Sequence, residues 1–147
     1  FIDSRNLNDD IFNEYNTVIA RRPGFEKKIK DYDFDYIIYL APDLIRIPQE
    51  MEQTIISYLS KNTGEWKLVF WDDKSFLWVR NLPKFQEIIS KYEYRYLNQY
   101  NFYYQNSIIS NALKEDKQQV IIEAQRKSSE DKEGFIINNI INKFRIF

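Results

Sequence analysis

At 147 residues, with 44% hydrophobic and 17% aromatic side chains, the chain suits one compact domain, or one domain with a helical extension, and is too apolar for a disordered segment. Its 21 basic and 22 acidic residues leave a formal charge of −1, which supplies no field for gathering nucleic acid. The lack of Cys and His removes thiol nucleophiles, disulfides, the usual zinc sites and Ser–His triads, so any catalysis would fall to carboxylates, Lys, Tyr, Ser or Arg.

Phe1–Asp3 reads as the tail of a buried strand, and a chain that starts inside a strand without Met is expected to be a piece of a longer protein. No apolar run reaches the roughly 18 residues that would span a bilayer. Asn8 can cap a helix whose first turn carries Asp9 and Asp10, and Ile11, Phe12, Tyr15, Val18 and Ile19 form its apolar stripe. Arg21-Arg22-Pro23-Gly24 closes it, and a shorter helix follows with Phe25, Ile29 and Tyr32 on one side. Tyr36–Leu40 is an unbroken apolar run, the pattern of a parallel inner strand. Pro48 opens a third helix that carries Met51, Ile55, Tyr58 and Leu59 and stops at Asn62-Thr63-Gly64.

Glu65–Asn81 is the organising stretch. Trp66–Trp71 and Phe76–Arg80 are strand-like runs joined by Asp72-Asp73-Lys74-Ser75, a hairpin signal. Strict alternation puts Trp66, Leu68 and Phe70 on one face, and Lys67, Val69 and Trp71 on the other. The expected fold is α/β: a small three-layer α/β/α domain over residues 1–82, with a mainly parallel sheet ending in an antiparallel hairpin. Residues 83–147 form an all-helical extension, tetratricopeptide-like in its helix-and-link rhythm. One helix is expected around Phe85–Tyr92, a longer one over Tyr94–Leu113, and two more around Val120–Ala124 and Ile137–Phe144.

Four residues are candidates for binding. Asp3 and Arg5 follow the first strand, where ligands of open α/β sheets bind; they suit an anion or a sugar, or else a turn cap and a surface ion pair. Asp72 belongs to an acid pair, Asp72-Asp73, that serves either a ligand or the turn itself, and Arg80 is expected to pair with one of these acids or with Asp3. Trp66, Phe70, Trp71 and Trp78 read as structural. The tyrosines between Tyr92 and Tyr104 read as core, and the basic cluster Arg21, Arg22, Lys27, Lys28 and Lys30 as a solvated face. No loop has calcium-site spacing and no Gly-rich phosphate loop occurs, so neither a metal nor a cofactor is expected.

Asp3 and Arg5, the strand Tyr36–Leu40, and then Trp66, Val69, Phe70, Asp72 and Arg80 together resemble a known family pattern. It is that of the soluble C-terminal domain of bacterial polytopic membrane glycosyltransferases, of the oligosaccharyltransferase and protein-mannosyltransferase type. The likeness covers residues 1–82, with Phe70 where that family usually has Tyr. It implies an extracytoplasmic domain tethered to an upstream membrane region, which holds the lipid-linked donor and the catalytic acids. This stretch would then be a non-catalytic accessory module that packs on the membrane region or recruits a protein or glycan acceptor, and no catalytic residue carries over to it. Two other readings stand beside it: a small enzyme or ligand binder using Asp3, Arg5 and Asp72, and a helical adaptor working through residues 83–147.

Overall fold

The computed structural model describes residues 9–40 and 48–147. Within them the fold is mixed α/β, with nine helices and a three-stranded sheet. The expected strand at Phe1–Asp3, and Asp3 and Arg5 themselves, lie outside the described residues.

Helix α1 (Asp9–Ile19) starts with Asp9 and Asp10, which complement the positive end of its dipole. The turn that follows needs a left-handed residue, and Gly24 supplies it at φ 91°. Helix α2 (Phe25–Tyr32) buries Phe25 and Ile29 and ends on Asp33 at φ 48°, a conformation that Asp tolerates well. Strand β1 (Tyr36–Leu40) follows.

The single helix expected after Pro48 is two, α3 (Pro48–Glu52) and α4 (Ile55–Lys61). Thr54 breaks the run: its backbone is extended, and its Oγ1 donates to the Met51 carbonyl at 2.7 Å and accepts from the Ser57 N–H at 3.4 Å. Such a side chain competes with the helical ladder and caps the next helix instead.

Strands β2 (Trp66–Trp71) and β3 (Ser75–Arg80) form the hairpin, and the sheet order is β1-β3-β2. In place of a parallel ladder, both pairings among the described residues are antiparallel. The crossover from β1 to β2 leaves a gap one strand wide, and β3 turns back into it. The last strand is therefore central rather than an edge.

Strict alternation also fails in β2. Leu68 opposes Trp78 but Phe70 opposes Leu77, so Val69 is an extra, bulged residue. The bulge rotates the end of the strand. Trp71 then joins Trp66 and Leu68 in the main core with Phe76 and Trp78, while Phe70 turns to the other face at 38% exposure. Without the bulge Trp71 would share a face with the charged Lys67.

Five helices follow a 3₁₀ turn: α5 (Gln86–Tyr92), α6 (Gln99–Tyr104), α7 (Asn106–Glu115), α8 (Lys117–Glu130) and α9 (Phe135–Phe144). The single helix expected over Tyr94–Leu113 is a link, whose residues 95–97 are held open by a side chain of α8, followed by α6 and α7, which part at Gln105. The five helices run to 7, 6, 10, 14 and 10 residues, unlike the equal units of a tandem repeat. Helix α5 covers Val69 and Val79 on the second sheet face through Ile89. The main core is one cluster running from Phe25 through Trp66, Trp71 and Trp78 to Ile140 and Ile146, so side chains before and after Leu82 share it.

Candidate functional site

The hairpin link is a hub for the helical tail. The Asp72 carboxylate accepts from the Lys74 N–H and the Ser75 hydroxyl, both at 2.8 Å, an arrangement that shapes the turn. Burial works against its charge, but those donors outweigh it and hold the carboxyl below its usual range. Asp73 reaches across to α9, accepting from the N–H groups of Phe135 at 2.7 Å and Ile136 at 3.0 Å, a carboxylate on two orphan donors at a helix start. Gln99 of α6 donates to the Asp72 carbonyl, and Lys127 of α8 donates to the Trp71 carbonyl. Both acids are structural ties in this geometry.

Arg80 lies at the opposite end of the hairpin, one strand length from Asp72, roughly 17–20 Å for six residues. It pairs with Asp33 and reaches Glu65 at 3.7 Å, with its guanidinium over the Trp66 ring. Asp72 and Arg80 are thus not brought together. Trp66, Trp71 and Trp78 are core residues. In the basic cluster, Lys27 pairs with Asp31, Lys28 with Glu14, and Arg21 donates to the Glu52 carbonyl.

Helix α8 carries four charged residues that sequence reading did not single out. Glu123 is buried and accepts from the N–H groups of Arg95, Tyr96 and Leu97 at 3.0, 3.1 and 2.9 Å. Burial pushes its carboxyl above the usual range, against those donors and Gln119. Arg126 donates to the carbonyls of Lys91 and Tyr92 at the end of α5 and of Glu93 just beyond it, and lies 4.0 Å over the Tyr94 ring. Glu130 accepts from the Tyr94 hydroxyl at 2.8 Å. Lys127, buried over the rings of Phe70 and Trp71, has its ammonium pushed below the usual range by desolvation, opposed by Glu130, Asp131, Asp72 and Asp73. A signal for this existed: Val120, Glu123, Ala124 and Lys127 stand at i, i+3, i+4 and i+7, one helical stripe.

The described residues also form concave surfaces, one of 380 Å³ at the hairpin link lined by Phe70, Asp72, Asp73, Lys127 and Glu130. A polar cleft of 310 Å³ lies between α4, the start of β2 and residues 93–98. An apolar groove of 600 Å³ runs between α1 and β1, lined by Tyr15, Val18, Phe34 and Ile37. Beside it, one face of β1 stands open, with Tyr36 at 58%, Ile38 at 61% and Leu40 at 74% exposure; Phe12 and Tyr15 of α1 are exposed as well. A parallel inner strand would have both faces covered. Here the apolar run lies at one edge of the described sheet, with only Ile37 and Tyr39 turned to the core.

Among the described residues no group of three or more acidic side chains is placed to hold a metal ion, and no helix is long and apolar enough to cross a membrane. No protein-family model, curated protein or solved structure matches the chain.

Proposed function

We propose that this chain is a non-catalytic accessory domain of a membrane-bound glycosyltransferase-like protein, held on the extracytoplasmic side and docked on the upstream membrane region through the open face of β1. The observation that carries this is the exposed row Tyr36, Ile38 and Leu40 on one face of β1, with Tyr15 of α1 lining the same groove as Tyr36 and Ile38. Exposed apolar surface grouped in this way marks a protein interface. One further observation favours docking over chemistry: Asp72, Asp73, Glu123 and Lys127 are each used in holding the fold.

The reading is tested by incubating the isolated chain with polyprenyl-phosphate-linked sugars, acceptor peptides and divalent metals. No transfer is expected. Measurable transfer by this chain alone would overturn the reading.

A further inference from the structure

We draw no further inference here: the strongest candidate, the cleft at the hairpin link lined by the buried Lys127 with Asp72, Asp73, Glu130 and Asp131, carries nothing, because Lys127 is bonded to the Trp71 carbonyl, Asp72 and Asp73 hold the turn and the start of α9, and no second observation there points to a ligand.

Discussion

Glu123 occupies a position where helical periodicity calls for an apolar residue, and the reason lies on the neighbouring link. Residues 95–97 present three N–H groups that no helix or strand pairs, and one buried carboxylate accepts all three. A Gln there offers a single acceptor oxygen and turns a donor toward donors. Glu123→Gln is therefore expected to destabilise the fold by about 1–3 kcal/mol. The pH dependence has a definite sign. A carboxyl raised above its ordinary 4.5 contributes stability that is fully present below pH 4.5 and lost as pH rises through its folded value. In denaturant titrations the gap between parent and variant should be widest near pH 4 and narrow toward neutrality. A gap that widens as pH rises would show instead that the three N–H donors outweigh burial and that the ionised carboxylate is the favoured form.

At the level of elements, strand and helix existence was legible where the pattern was regular. The stripe of α1, the apolar run of β1 and the aromatic strands of the hairpin all appear where periodicity puts them. What periodicity does not carry is a single-residue insertion. The Val69 bulge flips Phe70 and Trp71, because a side-chain period of two converts one extra residue into an exchange of faces. Helix ends set by long-range partners were equally hidden. The link at 93–98 is held by Glu123, 28 positions from Arg95, and α9 begins on Asp73, 62 positions from Phe135. Capping by a distant residue leaves no local sequence signature. Asp73→Ala should release both N–H groups at the start of α9 and cost about 1–2 kcal/mol, with hydrogen exchange accelerating first at Phe135 and Ile136. Uniform acceleration across the core would show instead that α9 does not depend on this contact.

For the whole molecule, the arrangement has one well-tied side and one open side. The helical tail is fastened to the hairpin by Gln99, Lys127 and Asp73, and buried side chains before and after Leu82 form one core. The opposite edge of the described sheet leaves Tyr36, Ile38 and Leu40 in solvent. The candidate site was only partly legible. Asp72 and Arg80 were visible as charged residues on the hairpin, but their separation by a strand length became plain only once the pairing was known. Asp3 and Arg5 lie outside the described residues. The open face of β1 read in sequence as an inner strand, because an apolar run looks the same in sequence whether or not its second face is covered. Placing a photo-reactive residue at position 38 of the full-length gene product, in its native membrane, tests the docking claim most directly. Irradiation is expected to join residue 38 to a segment upstream of Asp9 in the same polypeptide, identified by mass spectrometry; cross-links to a second copy alone, or none, would contradict it.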